Sequence, residues 1–169
     1  MDGAASRLKA RVRWYGEVWG QIDRPALEFK IRDGLVSGKM AFTLPTLAVT
    51  GGFTREIFEA AFRWHSVPAE ARLRLHALEP SLVTSYRRRY FRSADGAARL
   101  TLDSELRFLA PRNPGSLLPA PAPDRPNTIL ELKYAPVHAT EAARIMDGFP
   151  FRMTRCSKYV LGIQCLNGA

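Results

Sequence analysis

Arg7-Leu8-Lys9-Ala10-Arg11-Val12-Arg13-Trp14-Tyr15 alternates cation with apolar residue along most of its length. Successive side chains of a strand point to opposite faces. The stretch therefore predicts a strand with Arg7, Lys9, Arg11 and Arg13 on one face. Leu8, Ala10, Val12 and Trp14 take the other. Four cations in a row repel one another unless water or an anion lies between them.

The same arrangement recurs downstream. Ala26-Leu27-Glu28-Phe29-Lys30-Ile31-Arg32 sets Glu28, Lys30 and Arg32 against Leu27, Phe29 and Ile31. Ser81 to Arg92 reads as a strand in which Tyr86, Arg88 and Tyr90 share a face, with Arg87 and Arg89 on the reverse. Arg99 to Glu105 and Ile129 to Tyr134 also alternate, the latter with Glu131 and Lys133 together. The remaining pattern predicts few helices. Thr54 is a candidate cap for a helix through Trp64, with Ile57, Phe58, Ala61 and Phe62 on its apolar stripe. Pro68 opens a second helix reaching Leu75 or Leu78, and Ala139 to Met146 forms a third. The rest reads mainly as strand. The stretch from Lys39 to Gly52, with Pro45 and Gly51-Gly52, reads as irregular, and 111–126 reads as a proline-rich surface loop.

The chain has 169 residues, which suits a single domain over 1–169. Its 46 % hydrophobic content argues against extended disorder. With 25 Lys plus Arg against 16 Asp plus Glu, the net charge of +9 points to an anionic partner. No apolar run of transmembrane length occurs, and the N-terminus lacks the apolar segment of a signal peptide. Cys156 and Cys165 form neither a disulfide framework nor a zinc pattern, so reduced thiols and a cytoplasmic location are expected.

Charged strand faces are usually just solvated. Such faces mix Thr, Ser, Gln, Lys and Glu, whereas here arginine dominates and isolated Glu residues stand beside Lys. The combination suits a curved sheet whose concave face binds polyphosphate. Arg and Lys would pair with phosphate oxygens and Glu would hold a divalent cation. In that reading, helices cover the outward apolar faces. Nucleic-acid binding, with Trp14, Tyr86, Tyr90 and Phe91 as stacking residues, fits less well. The cations alternate with apolar residues, as in a lined cavity rather than an open groove.

Six short motifs in order resemble the vacuolar transporter chaperone (VTC) domain. They are Arg11-Val12-Arg13-Trp14-Tyr15-Gly16, Leu27-Glu28-Phe29-Lys30, Ser85-Tyr86-Arg87-Arg88-Arg89-Tyr90, Arg99-Leu100-Thr101-Leu102-Asp103, Leu130-Glu131-Leu132-Lys133-Tyr134 and Ser157-Lys158-Tyr159. The resemblance runs from about Arg7 to Ile163 and points to the polyphosphate polymerase branch of the CYTH-like triphosphate tunnel metalloenzymes. It implies an α+β fold, an antiparallel β-tunnel with helices packed outside. It also implies transfer of the terminal phosphoryl group of ATP to polyphosphate with Mn²⁺ or Mg²⁺.

By motif, the resemblance assigns phosphate binding and transfer to Arg11, Arg13, Lys30, Arg88, Arg99 and Lys158. Tyr86, Lys133, Arg155 and Ser157 join them in substrate binding, and Glu131 is the metal ligand. Arg155 stands where family members often carry Lys, and it is expected to precede a strand bearing Lys158. Glu28 and Lys39 fall at family-like positions without an assigned role. The family domain normally opens with an earlier strand carrying Glu, Arg and Lys. This chain is expected to start beyond it, leaving a second copy or a partner chain to complete the tunnel. A non-catalytic polyanion-binding module and a triphosphate hydrolase are the alternatives. No general base stands out, since His65, His76 and His138 read as structural or exposed.

Overall fold

The computed structural model describes residues 7–33, 36–63, 67–76, 78–111 and 128–167. The chain divides into two compact units. One comprises the described residues up to Ser81 together with Pro111; the other comprises Leu82–Ala110 and the described residues from 128 onward.

In the first unit, β1 (Arg7–Arg13), β3 (Ala26–Asp33) and β4 (Val36–Thr43) form an antiparallel sheet in the order β1-β3-β4. The register places Arg11 opposite Glu28 and Glu28 opposite Ala41, with Lys9, Lys30 and Lys39 in line one rung away. The apolar face of β3 is buried, with Leu27 and Phe29 each 1 % exposed. Burial of such side chains contributes about 1.5–3 kcal/mol each. A second ladder pairs β2 (Gly20–Ile22) with β5 (Leu47–Val49). The stretch from Lys39 to Gly52 is thus not wholly irregular: it holds the end of β4 and all of β5. Pro45 falls in the gap between them, where no ladder donor is needed.

Two helices complete this unit, α1 (Arg55–Phe62) and α2 (Ala69–His76). The predicted stripe of α1 is observed: Ala61 is buried, and Phe58 stacks between Phe53 and Phe62. Phe53, fully enclosed, also meets Trp14 and Trp19 at 5.3 Å. Thr54 occupies the N-cap position with extended backbone, but its hydroxyl makes no capping hydrogen bond. Trp64, His65 and the proline-rich stretch after Pro111 lie outside the described residues.

In the second unit, β6 (Val83–Arg92), β7 (Ala98–Leu109) and β8 (Ile129–Tyr134) form an antiparallel sheet in that order. Two helices follow, α3 (Ala139–Asp147) and α4 (Lys158–Leu166), with a 3₁₀ turn at Pro136–His138 before α3. The sequence predicts a strand at Lys158, and here the structure differs. Ser157 takes the N-cap position and its hydroxyl accepts the Val160 N–H at 3.4 Å, opening a helix.

The alternation of β7 breaks at Glu105, which has φ +54° and lies within a β-bulge opposite Tyr86. The extra residue changes which side chains share a face. Ahead of it, Thr101 and Asp103 face with Arg88; beyond it, Leu106 and Phe108 come onto that same side. Together with Ile129 they form an apolar cluster against which Leu161 and Cys165 of α4 pack. Gly162 allows the close approach, for a Cβ there would fall 2.5 Å from Leu82 Cδ2 and 2.7 Å from Phe108 Cδ1. So α4 packs on the face that carries the ionic residues, not on the reverse apolar face where helices are expected. The fold is α+β with antiparallel sheets. Its described strands make open sheets of three, two and three members, not a closed barrel.

Candidate functional site

Each three-stranded sheet presents a face on which several cations surround one buried carboxylate. In the first unit the carboxylate is Glu28, with its side chain 5 % exposed. Arg11 approaches through Nε at 2.7 Å and Nη2 at 2.5 Å, both on Oε2. Oε1 is shared by Arg13 Nη2 at 3.5 Å and Lys39 Nζ at 3.4 Å. Burial pushes the Glu28 carboxyl up, but the Arg11 hydrogen bond and the charges of Arg11, Arg13 and Lys39 outweigh it and hold the group below its ordinary range.

The sheet register fixes this arrangement, because residues directly opposite one another share a face. Lys9, Lys30 and Lys39 form the next rung of that face. Like charges directly opposite are unfavourable. Lys30 is exposed and has no ion-pair partner among the described residues. Arg11, Arg13 and Lys30 are thus brought to one sheet face, with Glu28 and Lys39 as fixed members of it.

The second unit carries three successive rungs on one face: Arg88–Asp103–Ile129, Tyr90–Thr101–Glu131 and Arg92–Arg99–Lys133. Asp103 is fully buried. Arg88 grips it with both ends of the guanidinium, Nε to Oδ1 at 2.5 Å and Nη2 to Oδ2 at 2.7 Å. Lys158 Nζ reaches Oδ2 at 2.6 Å from the first residue of α4. Burial alone would raise the Asp103 carboxyl, yet these two partners hold it below its ordinary value. The same hydrogen bond, chiefly, raises the Arg88 guanidinium further above its ordinary range. Tyr86 and Tyr90 flank Arg88, with ring centroids 5.1 and 5.8 Å from Cζ, and Lys158 lies 5.2 Å from the Tyr86 ring.

On the middle rung, Glu131 is 42 % exposed and lies 3.2 Å from Lys133 Nζ. Opposite it, the buried Thr101 hydroxyl has no hydrogen-bond partner among the described residues. Among the described residues, no group of three His, Cys, Asp or Glu side chains can hold a metal ion unaided. Glu131 still fits a hard divalent ion, because such ions take one or two carboxylates when substrate phosphates supply the other oxygens.

Of the sequence-predicted residues, Tyr86, Arg88 and Lys158 meet around Asp103, while Arg99, Glu131 and Lys133 lie on the neighbouring rungs. Ser157 caps α4, and Arg155 is exposed in the segment leading to it, with no partner among the described residues. Asp103 is the residue that sequence reasoning passes over. The signal was present, since Asp103 is in phase with Arg99 and Thr101 in an alternating run.

The family model described as the VTC domain matches residues 1–167. No curated protein and no solved structure matches the chain. No helix among the described residues is long and apolar enough to cross a membrane. The match covers nearly the whole sequence, including both ionic faces, and the chain belongs to the VTC domain family.

Proposed function

We propose that the chain binds ATP and polyphosphate on its basic sheet faces and transfers the terminal phosphoryl group of ATP to the end of a polyphosphate chain. VTC membership supplies the general link to polyphosphate. The observation that carries the reading is the fixed placement of Arg88 and Lys158 by a fully buried Asp103.

Phosphoryl transfer needs positioned charge more than covalent chemistry. Cations already held in place spend little reorganisation when an anion arrives. Asp103 orients Arg88 and Lys158 but neutralises one charge between them, so a net cation remains for phosphate oxygens. Glu28 plays the same part toward Arg11, Arg13 and Lys39. The partnerless Thr101 hydroxyl provides an O–H donor on the rung of Glu131.

In the transfer, an oxygen of the chain end forms the new bond to the γ-phosphorus, and the bond from that phosphorus to the β,γ-bridging oxygen breaks. The electron pair leaves with ADP. No protein nucleophile is required. A divalent ion, when bound through Glu131, neutralises phosphate charge.

The test is incubation with ATP and Mn²⁺ followed by analysis for long polyphosphate and free phosphate. Chain growth supports the reading, and phosphate release alone supports a hydrolase. Binding without turnover supports a non-catalytic polyanion-binding module. That second reading draws on the lack, among the described residues, of a group of three His, Cys, Asp or Glu side chains to hold a metal, and on the pairing of Glu131 with Lys133.

A further inference from the structure

We propose that the segment leading into α4, together with the outward side of that helix, docks the chain on the surface of membranes rich in anionic lipid. Phe151, Met153 and Val160 enter the headgroup layer, and Arg152 and Arg155 meet lipid phosphates. The inference stands on observations separate from the phosphoryl-transfer reading.

Exposed apolar side chains are concentrated here. Among the described residues, twelve large hydrophobic side chains are exposed, and four of them, Phe151, Met153, Tyr159 and Val160, fall within ten consecutive residues. Single exposed apolar residues are ordinary, whereas a cluster marks a surface that is covered in use. Residues 150–157 are all exposed and form neither strand nor helix. Phe151 stacks on Phe149 with ring centroids 5.3 Å apart, which fixes an aromatic side chain while leaving it 51 % exposed.

The helix adds the second part. One side of α4, with Lys158, Leu161, Gly162 and Cys165, is committed to the sheet. Tyr159 and Val160 fall off that stripe and are 45 and 50 % exposed. After Lys158 the helix carries no charged residue. A helix that is apolar on both sides is ordinarily covered on both.

Charge selects the occupant. From Gly148 to Ala169 there is no Asp or Glu, while Arg152, Arg155 and Lys158 are positive. The nearest preceding carboxylate is Asp147, at the end of α3. Lys158 is held by Asp103, whereas Arg152 and Arg155 are exposed and have no ion-pair partner among the described residues. The occupant is therefore both anionic and apolar. A second copy of the chain does not fit, because a two-fold contact sets these arginines against their own counterparts. A peptide partner takes its register from a sheet edge or a groove, and exposed irregular backbone supplies neither. An anionic bilayer needs no matching shape. It admits apolar side chains at the headgroup boundary, favours aromatic rings there and attracts adjacent Arg and Lys.

The experiment is flotation of the full chain with vesicles of phosphatidylcholine alone, or of phosphatidylcholine mixed in equal parts with phosphatidylglycerol. Wild type is expected to float with the anionic vesicles and to stay behind with the neutral ones. The double variant Phe151→Ser, Met153→Ser is expected to lose about tenfold in partition. Arg152→Gln is expected to lose about fivefold, the effect of one basic residue near a charged surface. Val160→Ser, on α4, is expected to lose about threefold. These side chains are exposed, so urea midpoints are expected to match wild type. Should the double variant unfold, Arg152→Gln and Val160→Ser still decide. Partition unchanged in the apolar variants means that charge elsewhere attracts the vesicles, and it overturns the site. So does a folded wild type that does not float, or a dimer in sedimentation that Phe151→Ser dissolves. Tripolyphosphate binding by the same variants is expected to equal wild type, so the fate of this site and that of the phosphoryl-transfer reading are told apart.

Discussion

Lys158 Nζ, on the first residue of α4, lies 2.6 Å from Asp103 Oδ2 in the middle strand of the second sheet. A helix docked on a sheet thereby completes an ion pair that the sheet alone leaves with one cation. The docking depends on apolar contact, because Leu161, Gly162 and Cys165 lie on the same side of the helix as Lys158.

That coupling makes Gly162→Ala informative. Overpacking against Leu82 and Phe108 costs about 1–3 kcal/mol. The gain in helix propensity is about 1 kcal/mol. Net destabilisation is expected, read as a lower midpoint in urea unfolding, together with weaker tripolyphosphate binding as Lys158 shifts. An unchanged midpoint and unchanged binding contradict the close packing of α4.

Asp103→Asn removes the charge between Arg88 and Lys158. Loss of one partner in a buried ion pair costs about 3–5 kcal/mol. The low end is expected here, because Arg88 and Lys158 keep 22 % and 21 % of their side-chain surface exposed. Urea unfolding at neutral pH measures it, and a loss near zero removes Asp103 from its structural role.

Acid should destabilise both units. Asp103 and Glu28 are held below their ordinary values of 3.8 and 4.5. The unfolded chain therefore binds protons before the native one does, and stability falls as pH drops. The contribution is complete above the ordinary values and is lost as pH falls through the lower native ones. Asp103→Asn and Glu28→Gln should each flatten the profile of midpoint against pH below about 5. A slope identical to wild type in both variants counts against the two carboxylates.

Glu131→Gln should shift the divalent-metal titration of phosphoryl transfer to higher concentration, with the fold intact, since this side chain is 42 % exposed. Superimposable titrations of variant and wild type would take the metal-binding role from Glu131.

Much of this organisation is legible from side-chain alternation. Ile129–Tyr134 is predicted to the residue, and the charged face of β3 lies where Glu28 and Lys30 place it. Alternation fails where the backbone departs from period two. The bulge at Glu105 carries Leu106 and Phe108 to the Asp103 side, and nothing in the local residue pattern announces it. The helix at Lys158–Leu166 is also hidden. Its Val160, Ile163 and neighbouring apolar residues suit a strand equally well, and tertiary packing through Gly162 decides between them. Register is similarly non-local: Arg88 and Asp103 become partners only once β6 and β7 have paired.

The most direct measurement of the central claim is a tripolyphosphate titration of the wild-type chain by calorimetry, repeated across a salt series. The account predicts saturable binding that weakens as ionic strength rises and is sharply reduced in the paired variant Arg88→Gln, Lys158→Gln. A folded wild-type sample that takes up no tripolyphosphate at millimolar concentration, or binds it equally well without those two cations, contradicts it.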